Sequence, residues 1–266
     1  MSNYWSDRLR TQMDILYDKT SQEVQEQLAN YYKAQLQESL KDISDLYDKL
    51  LKDSEGETVK PNDLYKYNRY FEVRNRLNQH LTLLGGKEIE LDKKEFIDMY
   101  KKVQNIIKDT VPFDKGSIFV LEQEAGAKKV LESIWCADGK HWSNRVWDNK
   151  SRLQQLVEKG LLDSVSRGTS KDELVKTIMK VFGNGFYESD RLVRTELTHI
   201  QNQAAMDRYK QAGVKKFKFL AEIDGRTSNI CKEMDGKIFS FEEAKTGENV
   251  PPLHPFCRST IIPVIE

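Results

Sequence analysis

The feature that most constrains this chain is its N-terminal stretch. Residues 3–52 contain no Gly and no Pro. Apolar side chains recur at Trp5, Leu9, Met13, Leu16, Val24, Leu28, Tyr31, Leu36, Leu40, Ile43, Leu46 and Leu50, mostly three or four apart, with Gln, Lys, Glu and Asp between them. Such steps keep apolar residues on one stripe of an α-helix. The segment reads as one helix, or two in tandem; a single helix would run about 75 Å at 1.5 Å per residue. A stripe of that length needs a cover. Either neighbouring helices of the same chain supply it, as in an ordinary helical hairpin, or another subunit does.

Helical patterning continues beyond it. A polar break spans 53–62, with Gly56 and Pro61, and a helix over 63–84 is expected to end at Gly85-Gly86. Asp92 and Glu95 have the spacing of a capping box, opening a helix that carries Phe96, Met99, Tyr100, Val103, Ile106 and Ile107. Pro112 and Asp114-Lys115-Gly116 mark a turn, and 122–135 is again helical. At 137 the texture changes. The run ADGKHWSNRVWDN places His141, Trp142 and Trp147 close together, either as a base-stacking platform or as the lock of a small core. Helices are expected over 149–166, over 171–182 with Ser170 and Glu173 as its capping box and Gly183 as its stop, and from 188 to a C-cap at Gly213.

The period then switches to two. Lys216, Phe217, Lys218 and Phe219 alternate as in a half-buried strand, and shorter strands follow over 237–241 and 259–265. The expected fold class is α+β: mostly helical, with long N-terminal helices followed by a helical C-terminal module bearing a small antiparallel sheet. The expected division is a helical arm, 1–136, and a module, 137–266, that folds without it.

Charge narrows the functional classes. Lys+Arg and Asp+Glu are each 42 in 266 residues, so the formal net charge is zero. That excludes a protein coating nucleic acid by bulk charge and leaves only a local face, for which Lys215, Lys216 and Lys218 are the candidates, with Arg226 and Lys232 just beyond. No run of 18 apolar residues is present, and the N-terminus mixes charges of both signs, so neither a membrane span nor a secretory signal is expected. Three cysteines, Cys136, Cys231 and Cys257, are too sparse for a disulfide scaffold and favour a reducing compartment or a metal role.

Two constellations could carry chemistry. Glu196 and His199 are i,i+3 neighbours on a helix, suited to acid–base work or to a surface hydrogen bond. His254 and Cys257 are three apart, and Cys231 could close over the same ion, giving three Zn²⁺-type ligands; the alternatives are a disulfide or plain buried thiols beside a structural His. Asp224-Gly225 and Asp235-Gly236 are turn signals, and Pro251-Pro252-Leu253-His254-Pro255 is a stiff, extended approach. No phosphate loop, dinucleotide fingerprint, H-E-x-x-H or nucleophile elbow is present, so no catalytic residue and no cofactor beyond that zinc candidate is assigned.

The order RLVRTELTHIQNQAAMDRYKQAGVKKFKFLAEIDGRTSNICKEMDGKIFS, followed by NVPPLHPFCRS, resembles the Mu F-like minor head protein domain of tailed phages, also called the phage head morphogenesis domain. The resemblance rests on Arg194-Thr195-Glu196, on Asp224-x-Arg226-Thr227, on Cys231, on Asp235-Gly236, and on Pro251-Pro252-x-His254-Pro255-x-Cys257-Arg258. Upstream, Gly139-Lys140-x-Trp142-Ser143-x-Arg145-x-Trp147 is similar to members from phages of Gram-positive hosts, so the resemblance covers about 137–266. One departure stands out. Members commonly end the last motif Cys-Arg-Cys, whereas here it reads Cys257-Arg258-Ser259, so a metal site or disulfide would lack one member.

The resemblance implies a minor head protein of a tailed phage or prophage that acts in head assembly. Its implied partners are the portal protein and other head proteins, with non-specific DNA contact during packaging or ejection, and no membrane. Its implied location is the virion or procapsid interior, and the host cytoplasm during assembly. The competing expectation is an enzymatic domain, transferase- or nuclease-like, of a phage-derived toxin. That reading needs Glu196, His254 and Arg258 gathered in one cleft, and it is weakened by the sequence ending at Glu266.

Overall fold

A computed structural model describes residues 4–53, 64–65, 68–113 and 123–265. In chain order the helices are α1 (Tyr4–Asp53), α2 (Arg69–Thr110), α3 (Gln123–Leu131), α4 (Trp142–Arg167), α5 (Lys171–Gln211) and α6 (Asn229–Met234). Strands β1 (Lys216–Leu220), β2 (Ile238–Ser240) and β3 (Thr260–Val264) form one antiparallel sheet in the order β2-β1-β3. The α+β class expected from the sequence is what the structure has. No helix among the described residues is long and apolar enough to cross a membrane. The expected turn at Asp114-Lys115-Gly116 and the expected break around Gly56 and Pro61 lie outside the described residues.

The described chain forms two compact units, each drawn from separate stretches. Unit 1 comprises 1–24, 91–142 and 191–266; unit 2 comprises 25–90 and 143–190. Helices α1, α2 and α5 therefore each contribute one stretch to each unit.

In unit 2 the α1 stripe is covered within the chain. Tyr32, Ile43, Leu46, Tyr47 and Leu50 share a buried cluster with Val73, Leu77, Leu81 and Leu84 of α2, Leu153 and Val157 of α4, and Ile178 and Phe182 of α5. Each such side chain contributes about 1.5–3 kcal/mol by leaving water. The buried face is not purely apolar: Gln35 and Ser39 sit in it.

Two expected helix stops are not stops. Helix α2 runs through Gly85-Gly86, and Asp92 and Glu95 are buried inside it rather than capping a new helix. A Cβ at Gly85 would lie 2.5 Å from a Trp147 ring carbon, so this glycine permits close packing. Helix α5 likewise passes through Gly183 and Gly185. At Gly185 a Cβ would meet Leu153 at 3.1 Å, and the Gly185 carbonyl accepts from the Tyr32 hydroxyl at 3.0 Å. Glycine's helix penalty, about 1 kcal/mol, is outweighed where a neighbour occupies the missing side chain's space.

Other local signals match their elements. Ser170 and Glu173 exchange side-chain and backbone hydrogen bonds at 3.3 Å, a reciprocal capping box at the start of α5. Gly213, at φ +75°, ends the helix, and Val214 N–H returns to Tyr209 C=O at 3.1 Å. Trp142 is buried edge-on against Phe96, so it locks a core within unit 1 and does not offer a stacking face.

In unit 1 the N-terminal turns of α1 are tied to the segment after β1. Arg10 donates to Glu222 Oε2 at 3.0 Å and to the Ala221 carbonyl at 3.3 Å. Asp14 lies beside this pair. Burial, reinforced by the nearby Glu222 charge, pushes its carboxyl up to about 7. A carboxyl raised in the folded state contributes stability that is present at low pH and is lost as pH rises from about 4 to about 7. The side chain is 34% exposed, so the effect is about 1–2 kcal/mol after solvent screening. In urea titrations at pH 5 and pH 8, Asp14→Asn is expected to lose less stability on going to pH 8 than the parent, by that amount. Identical losses in both proteins would refute this assignment.

Candidate functional site

The site lies in unit 1, where α5 meets the segment leading into β3. Residues 194, 195, 198 and 202 fall on one face of α5, and that face grips the turn 254–259. Arg194 places its guanidinium 5.2 Å from the Phe256 ring centroid. Thr195 Oγ1 accepts from Phe256 N–H at 3.2 Å. The Thr198 hydroxyl donates to the Cys257 carbonyl, and Asn202 Nδ2 donates to the Ser259 carbonyl at 3.2 Å. These bonds hold Phe256 at φ +58°, a left-handed conformation that is uncommon for a bulky residue. Glu196, also buried, instead accepts from Trp135 Nε1 at 3.0 Å, and His199 stacks on Trp135 at 4.7 Å between centroids. The Arg194-Thr195-Glu196 motif thus works as a clamp on local structure.

The second wall is the loop after β1. Asp224 accepts from Arg226 N–H at 2.8 Å and from Arg258 Nη2 at 2.7 Å. The Arg258 hydrogen bond, helped by the Arg226 backbone, holds the Asp224 carboxyl well below the usual carboxylate range. Thr227 closes the turn, accepting from Asp224 N–H at 2.7 Å and donating to the Glu222 carbonyl. Ser228 caps α6, its hydroxyl accepting from Cys231 N–H at 3.2 Å. At the other end of α6, Asp235 Oδ1 accepts from Ala221 N–H at 2.9 Å. Gly236, at φ +77°, donates to the Phe219 carbonyl at 2.9 Å. Asp235-Gly236 is therefore the turn that returns α6 onto β1.

Between these walls the structure brings together Cys231, His254 and Cys257. Their donor atoms all lie within 4.8 Å of one another. The two sulfurs are 3.7 Å apart, and both cysteines are free thiols. His254 Nε2 lies 3.2 Å from Cys231 Sγ and 2.8 Å from Ser228 Oγ. His254 Nδ1 is 2.8 Å from the Pro255 carbonyl, which can only accept. Nδ1 therefore carries the proton, and the Nε2 lone pair points at the thiols. Cys257 is shifted downward because Cys231 donates a hydrogen bond to it, and Cys231 is shifted upward for the same reason. Cys136 is not part of this cluster.

Lys216 and Lys218 sit on β1, and Lys215 immediately precedes it. Lys215 and Lys216 are exposed and Lys218 is half-buried, while Phe217 and Phe219 are fully buried on the opposite face. The cross-strand partners of Lys216 are Ser240 and Val264, and those of Lys218 are Ile238 and Ile262. Thr198 was not singled out from the sequence, Ser259 was noted as standing where the last motif commonly has a second cysteine, and Ser228 stood in the Asp224 turn segment, with the local signal of an N-cap serine three residues before Cys231.

The α5 contacts and the thiol–imidazole cluster together fix the segment that leads into β3. Residues 155–262 match the family described as Phage Mu protein F like protein, a stretch that begins within α4 and ends within β3. No curated protein and no solved structure matches the chain.

Proposed function

We propose that this chain is a minor head protein of a tailed phage or prophage, acting in head assembly at or near the portal. Residues 137–266 carry the Mu F-like part and 1–136 the helical arm. The observation that carries the reading is the family match over 155–262, which contains every residue of the clamp and of the thiol–imidazole cluster. Its partners are the portal protein and other head proteins, and its place is the procapsid and virion interior. The enzymatic alternative needed Glu196 in a cleft with His254 and Arg258. Glu196 is instead buried against Trp135, and it does not line the small cavity shared by His254 and Arg258.

Contact with DNA would come from the β1 face. A few lysines bind phosphates without sequence preference, and each phosphate contact adds about 0.9 to the salt slope. The test has two arms. Tagged protein is expected to sediment with procapsids and to be retained by purified portal protein; recovery in neither fraction would overturn the assembly reading. Binding to random duplex DNA is expected to weaken, with a shallower salt slope, when Lys215, Lys216 and Lys218 are replaced by Glu. Equal affinity and slope in parent and variant would eliminate this face.

A further inference from the structure

We propose that Cys231, His254 and Cys257 form a mononuclear site for a thiophilic divalent cation, Zn²⁺ by its chemistry, whose fourth corner lies beside Ser259. The spacing is that of ligands around such an ion. A tetrahedral Zn²⁺ with Zn–S bonds of about 2.3 Å and Zn–N of about 2.0 Å sets its sulfurs about 3.8 Å apart and sulfur from nitrogen about 3.5 Å. Here the sulfurs are 3.7 Å apart, and Cys231 Sγ is 3.2 Å from His254 Nε2. A disulfide would need about 2.0 Å.

Orientation supports the same conclusion. The Pro255 carbonyl accepts from His254 Nδ1, the arrangement that fixes the tautomer of a metal-bound imidazole and turns Nε2 to the ion. Both sulfurs sit on anchored backbone: Cys231 on the Ser228-capped first turn of α6, and Cys257 on the turn held by Thr195 and Thr198. Two thiolates and a neutral imidazole cancel the charge of a divalent ion, which suits the burial of both cysteines. Binding is balanced by release of the two thiol protons to solvent. A cavity of about 20 Å³ adjoins the cluster, lined by Cys231, His254, Arg258 and Ser259 among others, and it has room for one water as the fourth ligand. The ion would join α6 to the turn before β3.

The test uses the full chain, reduced and stripped with a chelator, with Co²⁺ as the probe. One Co²⁺ per chain is expected, with the intense visible bands of tetrahedral cobalt and near-ultraviolet charge transfer from two thiolates, all displaced by Zn²⁺. At Zn²⁺ about 100-fold above Kd the melting temperature should rise by about 5 °C or more. Cys257→Ser should abolish the bands and Cys136→Ser should leave them unchanged. Ser259→Cys supplies a third thiolate and does not depend on the folding of a ligand-deleted variant. It should raise the charge-transfer intensity by about half and tighten binding at least about tenfold. No bands in the parent, whether or not Ser259→Cys shows them, would overturn the proposal. So would bands that survive Cys257→Ser.

Discussion

A fragment of residues 137–266 is expected to keep a helical circular-dichroism signal but to show no cooperative thermal transition and to bind hydrophobic dyes, whereas the full chain melts cooperatively. The sequence-level boundary at 136/137 follows a real change in texture, but the compact units ignore it. A cut there removes 1–24 and 91–136 from unit 1 and 25–90 from unit 2. Unit 1 loses Tyr17, whose hydroxyl donates to the Arg194 carbonyl at 3.2 Å, and Tyr100, which donates to Asp207 at 2.8 Å. It also loses Gln104, which donates to the Ala204 carbonyl at 2.7 Å, and Trp135, the partner of Glu196. Buried Glu196 is then left without the indole, at a cost of about 1–3 kcal/mol or more. Unit 2 keeps Leu153, Val157, Leu161, Val165, Leu174, Ile178 and Phe182 but loses the α1 and α2 side of the same cluster. Several kcal/mol of burial disappears from each unit, against a total stability of about 5–15 kcal/mol for a folded domain. Adding the 1–136 segment in trans should restore part of the transition. A fragment that melts cooperatively by itself would show that the contacts from 1–136 are dispensable.

What the sequence disclosed follows a physical pattern. Period-3.6 and period-2 hydrophobicity placed α1 and the sheet, because burial of one face is written directly into residue order, whereas α5 reads as two helices from the sequence. The cap at Ser170–Glu173 and the stop at Gly213 were legible because each is settled within a few residues. The false stop at Gly85 has a different cause. Whether that glycine ends a helix or makes room for Trp147 depends on a residue some sixty positions away, which no local signal carries. At the site, His254 and Cys257 were visible as a spaced pair, and Cys231 as a third thiol. Ser259 was visible only as the residue standing where the last motif commonly has a second cysteine, and Thr198 was not visible, because its part depends on α5 lying against the turn before β3. The Lys150 network is the clearest case of information absent from local sequence: a lysine within an amphipathic helix reads as a solvated charge.

Lys150→Met is expected to destabilise the protein by about 3–5 kcal/mol, lowering the melting temperature by about 6–20 °C. Lys150 is 3% exposed and is paired with Glu88, which is fully buried. Its ammonium has three protons and three acceptors: Glu88 Oε2, the Tyr32 hydroxyl at 2.7 Å and Ser189 Oγ at 3.0 Å. Ser189 in turn donates to Glu88 at 3.0 Å. Burial alone would pull the Lys150 pKa down, but the charge of Glu88, with Tyr32, outweighs it and moves the group upward. Lys150 therefore stays charged through neutral pH, and its contribution is lost only as pH rises above the ordinary lysine range. Removing the lysine strands Glu88 as a buried charge. Glu88→Leu strands Lys150 and should cost a similar amount. The double variant Lys150→Met/Glu88→Leu removes both charges and should recover most of the loss, because a well-packed apolar pair substitutes for a buried ion pair at little net cost. Urea unfolding of the four proteins measures the coupling. Single variants within 1 kcal/mol of the parent, or a double variant whose loss equals the sum of the two, would show that the network is solvated and carries no interaction energy.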